Sequence, residues 1–299
     1  MKFHNLTLKD KELFNKFLSL FRHDLSVYAF ENIFIWKALF EIKWVLLDNN
    51  LCIFFQDKIG TFAYLPPLGN KQNLVLVNEV FEVMDRFNEN KEISRIENIE
   101  EREATFYKDL GLNCRIKSHD YLCLKSDLVN LRGNKFKSKR SSFNFFLKNY
   151  QSQYLPFSYA YIDGCLGLFE LWIKQRKIKI KDSVYQWMLE DSYSCFKALL
   201  NDYKDLNIIG RVVQVKNEVK GFTFGFKLNP DTFCVLYEIT DHSIKGLAQF
   251  IFQKFCSELK DSKFINIMDD SGLQNLKRVK LSYNPIKLIP SYIAKRKNA

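Results

Sequence analysis

Side chains suited to reaction chemistry gather in the second half of this 299-residue sequence. Glu238 lies near the end of Asp231–Thr240, an apolar run that reads as a strand. A carboxylate there can act as a general base or orient an acceptor amine or hydroxyl, or it can be a solvent-facing strand residue. Ile244-Lys245-Gly246-Leu247-Ala248 opens a helical stretch, where unpaired N–H groups and the positive dipole end favour phosphate. Gly246 by itself also fits a plain strand-to-helix turn. Asp269 and Asp270 precede Ser271-Gly272, and their carboxylates suit a charged amine, although Asp270 also reads as a helix N-cap. Lys277 and Lys280 stand three apart and share a helix face that would suit phosphates. Tyr283, in Leu281-Ser282-Tyr283-Asn284-Pro285, offers a hydroxyl to a leaving group or packs as an ordered aromatic. Arg140 and Asn144, four apart, align on a segment that also carries Lys135, Lys137 and Lys139. Phe136 and Phe143 within that segment suit either base stacking or a core stripe.

These candidates need elements to hold them, and the length allows two cores. The composition is globular, with 47% hydrophobic residues and 28 phenylalanines. Residues 1–125 hold 17 basic and 18 acidic side chains, against 28 and 16 in residues 126–299, so the net charge is −1 in one half and +12 in the other. A basic half meets anions such as donor phosphates, a tRNA backbone or an anionic membrane surface, or it is simply a lysine-rich solvated face. Seven cysteines without a Cys-x-x-Cys pair read as buried apolar residues in a reducing cytoplasm. The four histidines have no ligand spacing, which argues against a conventional metal site. The amino terminus lacks a signal core, and Glu31, Lys37, Glu41 and Lys43 interrupt the longest apolar stretch, so no transmembrane helix is expected.

Apolar spacing predicts a helix over Leu8–Phe21, strands Ile42–Asp48 and Leu51–Gln56 around an Asn49-Asn50 turn, and a third strand at Gly60–Tyr64. A helix over Leu74–Asn88 and strands at Ile93–Glu97 and Lys117–Leu124 follow. Turn formers and charge at Lys125–Asn134 mark a boundary, giving domains 1–125 and 126–299. The second opens with a helix to Tyr150 that buries Phe143, Phe146 and Leu147, then a strand at 153–161 and helices at 163–177 and 182–204. A hairpin turns at Asn217-Glu218, Asp231–Thr240 adds a third strand, and a helix (His242–Asp261) and a strand (Phe264–Met268) follow. This order matches an α/β (α+β) acetyltransferase-like fold with mixed, mainly antiparallel sheets. Both halves show it, which points to a diverged duplication.

KFKSKRSSFNFFLKNY, ending at Tyr150, and LKRVKLSYNP, ending at Pro285, resemble carboxy-terminal domains of the phosphatidylglycerol lysyltransferase family. The intervening GRVVQVKNEVKGFTFGFKLNPDTFCVLYEITDHSIKGLAQFIFQKF resembles the family's hairpin, acidic strand end and basic-glycine turn. The likeness covers most of 120–299 and implies tandem acetyltransferase-like (acyl-CoA N-acyltransferase) domains and transfer of an acyl or aminoacyl group to an amine or hydroxyl. Its donor would be aminoacyl-tRNA or acyl-coenzyme A, with no tightly bound cofactor. Glu238, Asp269 and Tyr283 would then be catalytic, and Lys245, Gly246, Arg140, Asn144, Lys277 and Lys280 would bind the donor. The alternatives are a non-catalytic module binding anionic lipid or RNA through the basic half, and an ordinary small-molecule acetyltransferase.

Overall fold

A computed structural model describes residues 2–70 and 72–297. The first half contains β1 (His4–Asn5), α1 (Lys11–Leu18), α2 (Phe30–Ile35), β2 (Glu41–Leu47), β3 (Asn50–Gln56) and β4 (Thr61–Ala63). It continues with α3 (Leu74–Phe87), β5 (Ile96–Glu100), α4 (Glu101–Asp109) and β6 (Asn113–Leu124). Next come α5 (Lys125–Asn130), α6 (Lys137–Asn149), β7 (Ser152–Pro156), α7 (Ile162–Lys179), α8 (Ser183–Asn201), β8 (Ile208–Val215), β9 (Glu218–Asn229) and β10 (Thr232–Thr240). The chain closes with α9 (Leu247–Glu258), β11 (Phe264–Asn266), α10 (Gln274–Leu281) and β12 (Lys287–Lys295).

Two compact units divide these elements. The first holds Met1–Asp120, Asp269–Leu273 and Leu288–Ala299, and the second Tyr121–Met268 and Gln274–Lys287. In the first unit β2, β3 and β4 form an antiparallel meander, α3 follows, and β5 returns parallel to β4. The place beside β5 is taken by β12, paired antiparallel through Ser291 and Tyr292. The second unit repeats the scheme: β8, β9 and β10 form the meander, α9 follows, and β11 returns parallel to β10. Residues 122–124 of β6 take the place beside β11. The strands of each unit are thus mainly antiparallel with one parallel pair, as the element order predicts.

Both meanders open on a two-residue turn in which the chain reverses with positive φ. Asp48 and Asn49 have φ 44° and 58°, and Lys216 and Asn217 have 53° and 63°. That conformation matches the twist of the strands and favours Asn or Asp. Each turn therefore lies one residue earlier than the Asn49-Asn50 and Asn217-Glu218 expected from sequence. Asn50 is freed to sit buried, its amide donating to the Leu47 and Asp48 carbonyls.

Packing also corrects the helix that opens the basic half. On α6 only Phe146 is buried, with Phe143 half-covered, while Leu147 points outward. Phe146 packs with Val213, Val215, Leu247, Phe250 and Ile251 in one core. The boundary region is itself helical over α5, whose Leu128 enters a second core with Phe233, Val235, Phe252, Phe255 and Cys256. Helix α4 and strand β12 carry no clear apolar period, and both were missing from the expected elements.

Gly246, the N-cap of α9, has φ 86° and ψ −4°. A Cβ built on it would lie 2.0 Å from the Ser142 carbonyl oxygen of α6. Gly246→Ala therefore loses about 1–2 kcal/mol from the left-handed backbone alone, and more from the clash. Urea unfolding of the variant is expected to show that loss.

Candidate active site

An irregularity in one strand aims the central carboxylate. Strand β10 pairs with β9 at Val235–Gly225 and again at Tyr237–Phe224, so Leu236 is an extra residue. Phe233 and Val235 belong to the core with α9. Strict alternation would send Tyr237 to the same face and Glu238 to the opposite one. The bulge reverses this. Tyr237 instead packs edge-on against Phe169 of α7 and Phe196 of α8 and donates to the Ser192 carbonyl at 3.1 Å. Glu238 takes the α9 face, where its charge is felt by Lys139, Cys256 and Tyr283. Pairing of β10 with β11 covers only Thr232–Cys234, so Glu238 lies on a stretch that β11 no longer accompanies.

Glu238 keeps a little exposure overall, but its Oε2 is sealed from solvent and has no hydrogen-bond partner among the described residues. Burial pushes its carboxyl up to about 8, against the opposing pull of the Lys139 ammonium. Lys139, from α6, is half-buried, and burial lowers its amine to about 8 while the Glu238 charge works the other way. Its Nζ donates to Ser282 Oγ at 2.9 Å and lies 3.4 Å from the centre of the Tyr283 ring. Tyr283 is buried, with its ring 4.6 Å from that of Phe252. Burial and then the Glu238 charge hold its hydroxyl well above the ordinary value. Cys256 and Cys123 are likewise raised by burial, Cys123 to about 12, so both stay as thiols at neutral pH. The result is a desolvated carboxyl, an adjacent cation and a protonated phenol in one unit.

The other sequence candidates are placed differently. Asp269 falls within the Asp269–Leu273 segment of the first unit. Asp270 closes a local turn, with its Oδ1 accepting from Gly272 N at 3.0 Å. Since α10 begins only at Gln274, Asp270 does not cap it. Arg140 donates to the Leu131 and Gly133 carbonyls, and Lys280 donates to the Ile267 carbonyl, so both cations serve backbone ends. Lys277 and Asn144 are exposed. Lys245 is exposed too, with Nζ 4.6 Å from the Phe145 ring centre, and the Ser142 contact accounts for Gly246. Sequence reasoning did not single out Lys139 or Ser282 as site residues. The signal for Lys139 was its place one turn before Phe143 and two before Phe146 on α6, hence on the same face as both.

The first unit has its own buried polar cluster, which the sequence did not announce. His23 Nδ1 lies 3.0 Å from Glu100 Oε2, and Glu100 also accepts from Asp24 N at 3.0 Å and pairs with Arg102 at 2.6 Å. Burial pushes Glu100 up, but these partners outweigh it and hold the carboxyl below its ordinary value. These contacts join the three side chains in one polar cluster. No group of His, Cys, Asp and Glu able to hold a metal occurs among the described residues, and no helix there is long and apolar enough to cross a membrane.

The Glu238 and Lys139 shifts give opposite pH signatures. A carboxyl raised from 4.5 to about 8 holds its proton longer in the folded state, so its contribution to stability is lost as pH rises through that window. An amine lowered from 10.5 to about 8 contributes stability at high pH that is lost as pH falls through 8. Glu238→Gln is expected to flatten the first slope and to extend the second to lower pH, because Lys139 loses the charge that holds its amine up, as read from urea unfolding across pH.

Comparison with known proteins follows the same lines. The family described as phosphatidylglycerol lysyltransferase, C-terminal, matches residues 19–295. No curated protein sequence matches the chain. Among solved structures, a conserved protein of unknown function from Bacteroides thetaiotaomicron superposes with TM-score 0.87 at 24% identity, covering 99% of this chain and 100% of its own. The L-PGS structure from Bacillus licheniformis gives TM-score 0.67 at 14% identity over 97% of this chain and 93% of that one. A tandem GNAT protein from the clavulanic acid biosynthesis pathway gives 0.56 at 8% identity over 100% and 99%. The architecture is that of tandem acetyltransferase-like domains. Matched over nearly its whole length, the chain belongs to the family of phosphatidylglycerol lysyltransferase C-terminal domains.

Proposed function

We propose that the protein transfers an aminoacyl group from a tRNA donor to an amine or hydroxyl acceptor, with Glu238 as general base. The observation that carries this is the sealed Glu238 carboxyl, raised to about 8 beside Lys139 and Tyr283. A base of that strength takes a proton from an attacking amine or hydroxyl near neutral pH. The acceptor attacks the carbonyl carbon of the aminoacyl ester, and its proton passes to Glu238. The Lys139 ammonium opposes the charge that develops on the carbonyl oxygen. The ester C–O bond then breaks, the ribose oxygen leaves, and Glu238 returns the proton to it. Tyr283, held protonated, supplies a hydrogen bond to that leaving oxygen.

Two features favour aminoacyl-tRNA over acyl-coenzyme A. The family carries a lysyl-transfer name, and the half that bears Glu238 has the surplus of +12, which suits a polynucleotide. Coenzyme A would call on the Lys245-Gly246 turn for its phosphates, yet α6 packs directly on that glycine. Exposed Lys137 on α6, and Lys277 and Arg278 on α10, belong to the same two segments that supply Lys139 and lead into Tyr283. They suit the phosphates of an acceptor stem.

The test offers labelled aminoacyl-tRNA and acyl-coenzyme A separately, with amine and hydroxyl acceptors and an enzyme-free control. Aminoacyl-tRNA should be consumed at a rate that rises with pH toward about 8, as Glu238 loses its proton. Glu238→Gln should slow transfer by roughly 10²–10⁴-fold while raising the urea midpoint at neutral pH, where the buried carboxyl has already lost much of its contribution to stability. Consumption of neither donor, or full activity in the variant, would refute the proposal.

A further inference from the structure

Glu238 has a neighbour on its own sheet face that the transfer chemistry has not used. In the register of β9 with β10, Glu238 lies opposite Thr223, and in that of β8 with β9, Thr223 lies opposite Arg211. Residues opposite one another across strands project to the same face, so Arg211, Thr223 and Glu238 form one row. Two contacts place that row on the α9 side. Arg211 Nε donates to Glu258 of α9 at 3.0 Å, and a Cβ built on Gly221, two residues before Thr223, would lie 3.5 Å from Ile251 and 3.6 Å from Leu247. The extra residue Leu236 creates the row, because unbroken pairing from Val235–Gly225 would set Tyr237 opposite Thr223. Thr223 is completely buried, and its Oγ1 has no hydrogen-bond partner among the described residues. Glu238 Oε2 is in the same condition. The Arg211 guanidinium is engaged by Glu258 and by the Gly210 carbonyl, the latter at 2.8 Å. A buried hydroxyl with no partner destabilises a fold, and valine would fill the same volume without that penalty.

We infer that Thr223 and Glu238 form a two-point cradle for the attacking atom of the acceptor, Thr223 holding that atom while Glu238 takes its proton. The inference rests on the reading of Glu238 as general base. Opposite Cβ atoms in an antiparallel pair stand about 4.5–5.5 Å apart, so one nitrogen or oxygen between the two side chains can bond to both. Only the carboxyl member of the pair keeps any exposure, so the acceptor enters over Glu238. A primary amine directs one N–H to Glu238 Oε2 and the other to Thr223 Oγ1, and its lone pair stays free for the carbonyl carbon. A hydroxyl gives its O–H to Glu238, accepts from the Thr223 O–H through one lone pair and attacks through the other. A secondary amine has a single N–H for Glu238 and a lone pair committed to the carbonyl, so it leaves Thr223 unpaired. The cradle therefore selects primary amines and alcohols against secondary amines.

The experiment compares the full chain with Thr223→Val, which keeps the shape and drops the hydroxyl, and with Thr223→Ser, which keeps the hydroxyl. Transfer from labelled aminoacyl-tRNA is followed with methylamine and with dimethylamine as acceptors. Thr223→Val should lower kcat/KM for methylamine by roughly tenfold, the scale of one hydrogen bond, and leave the donor KM unchanged. Thr223→Ser should keep most of the parent rate. Dimethylamine should be the poorer acceptor for the parent and be indifferent to Thr223→Val, so the preference collapses in that variant. The urea midpoint of Thr223→Val should equal or exceed that of the parent, which separates a lost contact from a lost fold. A readout without turnover is the carbon-13 signal of the Glu238 carboxyl, identified by its disappearance in Glu238→Gln. Methylamine should shift it in the parent, and roughly tenfold more should be needed in Thr223→Val. No shift in the parent, or parent-like binding and transfer by Thr223→Val, would overturn the inference. So would equal losses for both amines, which would make Thr223 a purely structural residue. A Thr223-dependent shift with neither donor consumed would uphold the cradle and refute the transfer reading alone.

Discussion

A carboxyl group placed where water cannot solvate its charge is the constraint around which the second unit is arranged. Glu238 reaches that place only because β10 carries an extra residue at Leu236, which turns the strand over between Val235 and Tyr237. The same bulge lets Tyr237 pack among Phe169 and Phe196 on the opposite face. One local defect therefore fills an aromatic core on one side and installs an ionisable group on the other. A buried carboxylate without a cation would be costly, and Lys139 partly offsets that cost from α6. Lys139 is in turn held by Ser282 and by the Tyr283 ring.

The surrounding packing explains why the basic residues divide into two kinds. Some serve the fold: Arg140 satisfies the carbonyls after α5, and Lys280 satisfies that of Ile267. Backbone carbonyls at helix and strand ends need donors, and long cations reach them. Others, such as Lys137, Lys277 and Lys245, remain exposed and form the electrostatic surface. Counting charge in a sequence treats the two kinds alike. The +12 of the second half is real, but only part of it is available to a ligand.

Each unit repeats a meander, a crossover helix and a parallel strand, yet the repeats have diverged in what they bury. Beside β5 the first unit ties His23 and Arg102 to one carboxylate, Glu100. The second leaves Glu238 Oε2 without a hydrogen bond. Glu238 thus keeps acceptor capacity that its neighbours do not use, whereas Glu100 spends its own on them.

Periodicity and turn chemistry in the sequence determined the meanders, the crossover helices and the second-half location of Glu238 and Tyr283, because these depend on residues near one another in the chain. The motifs around Tyr150, Glu238 and Pro285 also fixed the family. Three things were decided only by tertiary structure. The face on which Glu238 lies depends on a one-residue bulge that alternation cannot reveal. Its partnership with Lys139 joins residues far apart in sequence, through the packing of Phe146 against α9. The strands beside β5 and β11 were settled by backbone hydrogen bonds to distant segments, β12 and β6, whose own patterns do not name a partner.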